Sequence, residues 1–348
     1  MAVTAREMWA ARLHGVGDIR LSREPVPAAP AGSATVRVTA VGLCGSDLHW
    51  YDEAGIGDAR LDRPLVLGHE FAGVVEDGPL VGTRVAVDPA LPCGHCATCL
   101  SGERHLCPSV RFAGHGGVDG ALREFVTWPE SLLHPLPPTL TDADGAMLEP
   151  LGVAIHAFDL GHVRIGASVA VIGCGPIGLC VVQLARQAGA VKIIASDPLP
   201  HRLEAAGRLG ADVLLDDAAA SDAAHWDAAT DGRGVDTAFE VAGTPEAIAN
   251  SMRAAGPGRR VVLVGIPADD QTTFPAALAR RKGLTIAVSR RMAEVYPRAT
   301  KLVERGLVDT SALVTARFPL DQASEAFHAA VARKGLKVLV TPTSQDER

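Results

Sequence analysis

The sequence lacks any long cluster of basic residues. Its 33 Lys and Arg are outnumbered by 40 Asp and Glu, so the formal net charge is −7 at pH 7. The densest basic runs, at residues 280–282 and 290–291, are too short to neutralise a nucleic-acid backbone, which requires many clustered cations. We therefore expect no nucleic-acid partner.

The sequence also lacks the long apolar segments that membranes and secretion require. Nowhere do roughly eighteen apolar residues run together, as a membrane-spanning helix would need. The first residues, MAVTAREMWAARL, contain no apolar core followed by a small-residue cleavage site. These absences lead us to expect a cytoplasmic protein without a membrane partner.

Cysteine is scarce and its number is odd. There are seven Cys, of which four lie between residues 93 and 107. In a cytoplasmic chain, such crowding points to metal binding before disulfides.

What is present is the composition of a globular protein. Hydrophobic residues make up 47% and charged residues 21%, which argues against disorder, and 348 residues favour two domains over one. Up to about residue 150, short alternating runs such as 35–41 and 84–87 are separated by Gly and Pro. This half is predicted to be mostly β.

After residue 150 apolar runs alternate with helical patterns, and no internal repeat is visible. Strands that are apolar on both faces and separated by helices predict a doubly wound, parallel, six-stranded Rossmann sheet. The predicted strands are 168–172, 191–196, 212–215, 235–241, 260–265 and 284–288. The predicted helices are 177–187, 201–209 and 245–254, with an alanine-rich surface helix or loop at 218–229. The tail predicts helices at 296–305 and 320–331 and a closing strand at 337–340.

A dinucleotide site is predicted at the first of these βα junctions. The strand 168–172 leads directly into G-C-G-P-I-G at residues 173–178, and a helix follows. Gly173 permits the tight turn, Gly175 lets backbone approach the pyrophosphate, and Gly178 allows close helix packing. The helix N-terminus offers free N–H groups to the phosphates. The predicted cofactor contacts are Gly173, Gly175, Pro176, Ile177, Gly178, Asp197, Arg202, Val241, Gly265 and Ile266.

The end of the second strand indicates which dinucleotide binds. Asp197 is placed to accept hydrogen bonds from the adenosine ribose, and its charge would repel a 2′-phosphate, so NAD is favoured over NADP. Arg202 is predicted either to lie along the adenine or ribose, or to be a solvated arginine on the first turn of a helix.

A structural zinc site is predicted from four cysteines. Cys93, Cys96, Cys99 and Cys107 are spaced C-x₂-C-x₂-C-x₇-C, with Gly94 and Gly102 between them to let the loop wrap tightly. Four thiolates at such spacing make a closed tetrahedral site that stiffens a lobe poor in apolar residues. The alternative is four reduced, buried thiols.

Candidates for a second, catalytic metal site are scattered along the chain. They are Cys44, His69 with Glu70, and Glu149. A catalytic zinc needs about three protein ligands and an open position, and thiolate, imidazole and carboxylate are suitable donors. Each residue alone has a plain alternative: Cys44 as a small buried residue, His69 as a bonded core histidine, and Glu149 as the start of a helix.

The order of these motifs resembles a known family. G-H-E at 68–70, C-G-S-D-L-H at 44–49, the four-cysteine lobe and the glycine-rich half resemble the zinc-containing medium-chain dehydrogenases over essentially the whole chain. E-P-L at 149–151 is similar to the sorbitol (iditol) dehydrogenase branch, because the alcohol dehydrogenase branch carries a cysteine in that neighbourhood.

The resemblance implies an organisation and a set of cofactors. Residues 1–151 and 290–348 would form a GroES-like β-rich catalytic domain with a zinc lobe at about 92–108, and residues 152–289 an NAD-binding Rossmann domain. Two zinc ions per chain are implied. Cys44, His69 and Glu70 would surround the catalytic zinc, while Glu149 either ligates it or holds its water.

The resemblance also has departures. The segment 76–85 is shorter than usual and has Gly-Thr-Arg in place of Gly-Asp-Arg, from which we expect only a shortened surface loop. Arg291 matches the family's substrate arginine ahead of Tyr296-Pro297, but the residues between do not match. Arg291 and Glu294 are therefore candidate polyol contacts, with a surface arginine as the alternative.

The implied reaction is zinc-dependent, NAD-linked oxidation of a secondary alcohol to a ketone, with a polyol as the substrate. Zinc would lower the pKa of the substrate hydroxyl. The proton would then pass through Ser46 and the cofactor ribose to His49, unless these are an ordinary turn residue and a surface histidine. Alternatives are a secondary alcohol, diol, threonine or glucose dehydrogenase, or a non-catalytic NAD-binding zinc protein. A homodimer or homotetramer is expected through the sheet edge at 284–288.

Overall fold

The chain divides into two compact units in the computed structural model, which describes residues 6–268 and 271–342. Unit 1 contains the chain up to Glu149, Tyr296–Glu304 and the chain from Thr310 onward. Unit 2 contains Pro150–Val295 and Arg305–Asp309. The predicted domain boundaries, 151/152 and 289/290, lie near two of these divisions, whereas the predicted outer ends, residues 1 and 348, lie outside the described residues.

Unit 1 is built mainly from short strands. In chain order they are β1 Glu7–Gly15, β2 Asp18–Pro25, β3 Ser33–Gly42, β4 Gly55–Ile56, β5 Ala59–Arg60, β6 Leu65–Val66, β7 Glu70–Val75, β8 Arg84–Val87, β9 Ala90–Leu91, β10 Arg111–Phe112, β11 Phe125–Pro129, β12 Leu133–Pro135, β19 Val314–Pro319 and β20 Lys337–Thr341. Its helices are α1 Gly45–Glu53, α2 Ala97–Leu100, α10 Tyr296–Glu304 and α11 Ala323–Val331.

The main sheet of unit 1 is organised around β3. The sheet order is β12-β8-β7-β3-β20-β19, with β11 also paired to β3. Strand β20, from the far end of the chain, pairs antiparallel with β3, so both ends of the chain meet in one sheet. Alternate residues of β3 are buried in a core that includes Trp50, Phe71 and Phe327. The predicted mostly β domain is therefore confirmed.

Unit 2 contains the predicted parallel sheet. Its strands are β13 Ser168–Ile172, β14 Lys192–Ser196, β15 Val213–Leu215, β16 Val235–Glu240, β17 Ala255–Leu263 and β18 Thr285–Val288. Its helices are α4 Pro176–Gln187, α5 Pro200–Arg208, α6 Asp217–Ser221, α7 Ala223–Thr230, α8 Pro245–Ala254 and α9 Ala276–Lys282. The order β15-β14-β13-β16-β17-β18, with every neighbouring pair parallel, confirms the doubly wound sheet.

Two elements of unit 2 differ from their sequence predictions. Strand β17 begins at Ala255, five residues earlier than predicted, because Ala255 already pairs with Val235. An irregular segment that contains Gly258, with a φ of +69°, separates this pair from the regular pairing that starts at Arg260. The alanine-rich stretch forms two short helices capped by Asp216 and Asp222, whose carboxylates accept N–H groups of the first turn. It is not purely a surface segment, because Trp226 is 1% exposed.

One long helix, α3 Asp142–Gly161, carries Glu149. Thr141 and Asp144 bond reciprocally at its start: the Asp144 carboxylate accepts the Thr141 N–H at 2.9 Å, and the Thr141 hydroxyl accepts the Asp144 N–H at 3.1 Å. Glu149 therefore lies well inside a helix and not at its start. Among the described residues, no helix combines the length and apolar character needed to cross a bilayer.

Candidate metal centres and dinucleotide site

The four cysteine side chains of residues 93–107 converge in unit 1. Their Sγ atoms all lie within 4.8 Å of one another. The Cys93–Cys99 and Cys96–Cys107 sulfur distances are 3.9 and 4.0 Å. Four zinc–sulfur bonds of about 2.3 Å in a tetrahedron require sulfur–sulfur distances of about 3.8 Å, whereas a disulfide requires about 2 Å. The cluster therefore has the dimensions of a tetrahedral zinc site.

The backbone of the lobe directs N–H groups at three of the four sulfurs, while burial raises the pKa of the Cys99 thiol to about 12. The N–H groups of Cys96, Cys99 and Cys93 point at the sulfurs of Cys93, Cys96 and Cys107, each at 3.4 Å. N–H groups of His95 and Cys96 lower the pKa of the Cys93 thiol to about 6. Gly94 and Gly102 have φ values of +77° and +91°, which side chains disfavour, so the predicted tight wrapping depends on glycine here.

A second cluster in unit 1 consists of Cys44, His69 and Glu70. One ligand atom from each lies within 4.8 Å of the others. Cys44 sits immediately before α1 in extended conformation, while His69 and Glu70 lie at the start of β7. His69 and Glu70 are 5% and 1% exposed, and Cys44 is half-buried. The structure thus brings together three of the four residues named for the catalytic zinc.

Asp47 orients His69, and the sequence analysis missed it. Its Oδ1 lies 3.4 Å from Nδ1 of His69, which leaves Nε2 as the nitrogen available to a metal. Its two oxygens also accept the N–H groups of Cys44 at 3.0 Å and Gly68 at 3.1 Å. Burial lowers the pKa of His69, but Asp47 and Cys44 together outweigh it, and the net pKa lies well above the usual value. The signal was the acid three residues after Cys44, a helix-capping spacing.

A buried lysine, Lys337, neutralises Glu70, and it too was missed. Its Nζ donates to Oε1 and Oε2 of Glu70 at 2.8 and 2.6 Å, and to the Leu43 carbonyl at 3.0 Å. Burial lowers the pKa of Lys337. The negative charges around it, that of Glu70 above all, raise the pKa by a larger amount, so the net pKa is raised. Lys337 opens β20 and Glu70 opens β7, on either side of β3, so no local pattern connects them.

Gly42, at the end of β3, makes this ion pair possible. It pairs with Glu70 on one side and Leu339 on the other. A Cβ atom at position 42 would overlap Oε2 of Glu70. The Glu70 carboxylate can therefore lie over β3 only because this residue has no side chain.

Glu149 lies outside the group of mutually close ligand atoms. It is 5% exposed, and burial raises the pKa of its carboxyl to about 7, against the opposing charge of His69. Glu70 and Lys337 also act on its charge, so Glu149 belongs to the same electrostatic cluster.

Ser46 and His49 lie on α1, three residues apart and hence on one side of the helix. Both are half-buried, and Nδ1 of His49 lies 3.1 Å from Oε1 of Glu53. The other ring nitrogen of His49, Nε2, takes no part in this contact.

The glycine-rich turn in unit 2 has the shape of a phosphate cradle. Gly173 has a φ of +102°, and a Cβ on Gly178 would overlap the Gly173 carbonyl oxygen. Around Gly175, by contrast, a Cβ would meet only Nη1 of Arg202, at 3.8 Å. Gly175 caps α4 and Pro176 opens it, so the open side faces a helix N-terminus. These features fit a dinucleotide pyrophosphate.

Asp197, directly after β14, is 4% exposed and is tied to this turn. Its carboxylate accepts the N–H groups of Cys174 at 2.8 Å and Leu199 at 2.9 Å. Arg202, the half-buried neighbour of Gly175, lies on the first turn of α5.

The remaining predicted residues also lie in unit 2. Val241 follows β16, whereas Gly265 and Ile266 follow β17, and Ile266 is 53% exposed. Arg291 is half-buried with a φ of +55°, and Glu294 is exposed. The substrate role predicted for Arg291 and Glu294 stays a prediction.

Comparisons with known proteins agree with this geometry. Residues 30–138 match the alcohol dehydrogenase GroES-like domain, and residues 176–305 match the zinc-binding dehydrogenase family. The chain is 34% identical to sorbitol dehydrogenase of Bacillus subtilis (strain 168) over 345 residues, 97% of this chain and 98% of that protein.

Two solved structures extend the comparison. L-idonate 5-dehydrogenase from Escherichia coli superposes with a TM-score of 0.90 at 28% identity, over 97% of this chain and 99% of that one. A zinc-binding dehydrogenase from Sinorhizobium meliloti 1021, described as putative and bound to NADP, superposes with a TM-score of 0.88 at 32% identity, over 97% and 100%.

Proposed function

We propose a polyol as the substrate, from the premise that this chain belongs to the zinc-containing medium-chain dehydrogenases, in the sorbitol dehydrogenase-like branch. The chain is accordingly an oxidoreductase that uses zinc and a nicotinamide dinucleotide. The alternative of a non-catalytic zinc protein is thereby set aside. Oxidation of one secondary alcohol of a sorbitol-, iditol- or xylitol-type polyol to the ketone is supported by the relationship to sorbitol dehydrogenase.

The observation that carries the proposal is the convergence of a thiol, an imidazole and a carboxylate on one point. Cys44, His69 and Glu70 are a suitable donor set for a catalytic zinc, with Asp47 fixing the imidazole. A carboxylate has about four lone-pair sites, so Glu70 can accept from Lys337 and still face a metal. We assign Glu149, which is outside this group, to hold a water or a substrate hydroxyl by hydrogen bonding.

The chain's own residues then divide the work of proton transfer. Zinc, when bound, supplies a Lewis acid that lowers the pKa of the substrate hydroxyl, and the dinucleotide accepts the hydride. Ser46 Oγ accepts the released proton and at the same time donates its own hydroxyl proton onward, because a hydroxyl can both accept and donate. His49 passes it to solvent, since it lies one turn further along α1 and is 24% exposed.

NAD is proposed over NADP because of the position of Asp197. Its buried carboxylate is fixed by two N–H donors beside the glycine-rich turn, where it would repel a 2′-phosphate. The Sinorhizobium meliloti protein, by contrast, is described with NADP bound, so both dinucleotides belong in the test.

The test is a metal analysis joined to a substrate panel. We expect two zinc ions per chain and NADH formation with secondary-alcohol polyols, faster than NADPH formation. Formate, which has no secondary hydroxyl group, would serve as a negative substrate control. One zinc per chain, or turnover of simple alcohols but not of polyols, would contradict the proposal.

An aldonic acid is the second candidate, since the fold is so similar to that of L-idonate 5-dehydrogenase. Such a substrate carries a carboxylate in addition to its hydroxyls. The panel should therefore include polyols and the matching aldonates, and a preference for the aldonate would select this candidate.

We also propose that the protein forms a homo-oligomer through β18, the last strand in the order of its sheet. Val288 on this strand is 73% exposed. A second copy pairing antiparallel with β18 would satisfy the backbone groups of this edge.

A further inference from the structure

Glu240 is a buried carboxylate at the carboxyl-terminal end of β16. The proposed reaction gives this residue no role. It is the last residue of β16 and is 1% exposed. Its Oε1 accepts two backbone N–H groups, from Ala242 at 2.7 Å and Gly243 at 2.6 Å. Its main-chain oxygen accepts those of Val264 at 2.8 Å and Gly265 at 3.2 Å. One residue thus holds the turns that follow two neighbouring strands.

The turn that Glu240 holds is locked between two others. A Cβ atom on Gly173 would lie 2.9 Å from the Val241 carbonyl carbon and 3.0 Å from the Ala242 nitrogen. On the other side, a Cβ on Gly265 would overlap the Gly243 nitrogen. The turns after β13, β16 and β17 are therefore in backbone contact, and glycine is required at each contact.

These three turns lie where a doubly wound sheet binds a dinucleotide. The turn after β13 receives the pyrophosphate, and β16 and β17 belong to the second mononucleotide half of the sheet. The turns that follow β16 and β17 consequently face the nicotinamide half of the cofactor. Displacement of Val241–Gly243 would move the surface beneath that half. The adenosine side is held separately, by the Asp197 carboxylate on the N–H groups of Cys174 and Leu199.

We propose that Glu240 is a positioning residue for the nicotinamide ring of the dinucleotide, an inference that rests on the proposed function. Its carboxylate holds the turn at 241–243 and thereby sets the level of the surface on which the nicotinamide ring lies. Glu240 itself does not need to touch the cofactor.

The test compares two ligands that differ only in the nicotinamide ring. ADP-ribose is NADH without that ring, so the ratio of their dissociation constants reports on the placement of the ring alone. Both are measured without substrate, by calorimetry or by quenching of protein fluorescence. Glu240→Ala should weaken NADH binding about tenfold or more and leave ADP-ribose binding within about twofold, because the N–H groups of Ala242 and of the buried Gly243 lose their acceptor.

Two further substitutions at the same position complete the series. Glu240→Gln keeps an acceptor oxygen for Ala242 and Gly243 and should retain most of the NADH affinity. Glu240→Asp keeps the charge but is one methylene too short, so its NADH affinity should fall in the direction of the Ala variant. The Asp variant gives the answer if Glu240→Ala fails to fold.

Asp236→Ala is the matched control, because Asp236 makes the same kind of contact at the opposite end of β16. Its Oδ2 accepts the N–H and the hydroxyl of Ser168 at 2.8 and 2.9 Å. This variant should lower the melting temperature but leave the ratio of NADH to ADP-ribose affinity unchanged.

Equal losses for the two ligands, or no loss, in Glu240→Ala and Glu240→Asp would overturn the inference. The inference would also be overturned if Asp236→Ala changed the ratio of NADH to ADP-ribose affinity as much as Glu240→Ala does. Any weakening of the sheet would then be enough to cause the change. Failure of the unsubstituted protein to bind NADH would instead remove the proposed function.

Discussion

Two residues with no reactive role of their own, Asp47 and Lys337, hold the ligands of the proposed catalytic centre. Asp47 fixes the imidazole of His69, and Lys337 neutralises the carboxylate of Glu70. All four residues are 5% exposed or less. At such depth a charge is tolerated only with a partner, so each of these contacts should be measurable by removing one member.

Asp47→Asn tests the support of His69. Asn has the same size but no charge, so the imidazole loses its orienting carboxylate, and we expect the catalytic zinc to bind about 10- to 100-fold more weakly. Competition with a chelator, followed by metal analysis, should show one tightly held zinc in place of two.

Asp77→Asn is the control for that substitution. Asp77 accepts the Thr35 N–H at 2.8 Å, near the opposite end of β3 from Cys44. It should keep both zinc ions. Wild-type zinc affinity in Asp47→Asn would contradict the role given to Asp47.

Lys337→Met tests the buried ion pair. It leaves the Glu70 carboxylate without its cation, and we expect the free energy of unfolding to fall by about 3–5 kcal/mol, as measured by urea denaturation. Combining it with Glu70→Gln should cost less than the sum of the two single substitutions, because the second removes the unpaired charge. Strict additivity would mean that the pair does not act as a unit.

At the scale of elements, the four-cysteine lobe has little regular structure of its own. It contains the four-residue helix α2 and the single 3-10 turn Arg104–Leu106, and Leu100 is 75% exposed. Neither element is long enough to be stable by itself. The contacts that close the lobe are those among its sulfurs and N–H groups, so a metal is the element's main source of order.

Cys99→Ser should therefore unfold the four-cysteine lobe and leave the remainder of the protein folded. We expect the zinc content to fall from two to one per chain, and a protease to cut within residues 93–107 faster than in the unsubstituted protein. NADH binding should persist, because the glycine-rich turn belongs to unit 2. Cys180→Ser, which alters a buried cysteine of α4, is the control and should keep both zinc ions. Unchanged zinc content in Cys99→Ser would refute the structural site.

At the scale of the whole molecule, the two units have different sources of order. Unit 2 follows a repeating βα pattern, so its parallel, doubly wound sheet could be predicted from the alternation of strands and helices. Unit 1 is assembled from strands far apart in sequence, with β3 and β20 as sheet neighbours. The sequence predicted that unit 1 is a β domain, but it did not predict which strands pair with each other.

Val288→Lys tests the proposed oligomer. A charge at the exposed end of β18 should prevent a second copy from adding to the sheet, and the protein should elute as a smaller species in size-exclusion chromatography. Val191→Lys is the control, because Val191 is 69% exposed and lies in the connection before β14. If the Val288→Lys variant eluted as the same oligomer as the unsubstituted protein, the interface would lie elsewhere.

The sequence by itself determined the features that depend on near neighbours. The turn at 173–178, the spacing of the four cysteines and the alternation of strands and helices are properties of short segments, and each folds as its local geometry requires. The family resemblance added Cys44, His69 and Glu70 as one cluster.

The tertiary structure alone decided what stands beside those residues. Lys337 and Glu70 are 267 positions apart, and only the pairing of β20 and β7 with β3 brings them together over Gly42. The contact of the Glu240 turn with Gly173 likewise depends on β16 lying next to β13. The physical reason is that strand order and register follow from packing of the whole chain, which no local segment encodes.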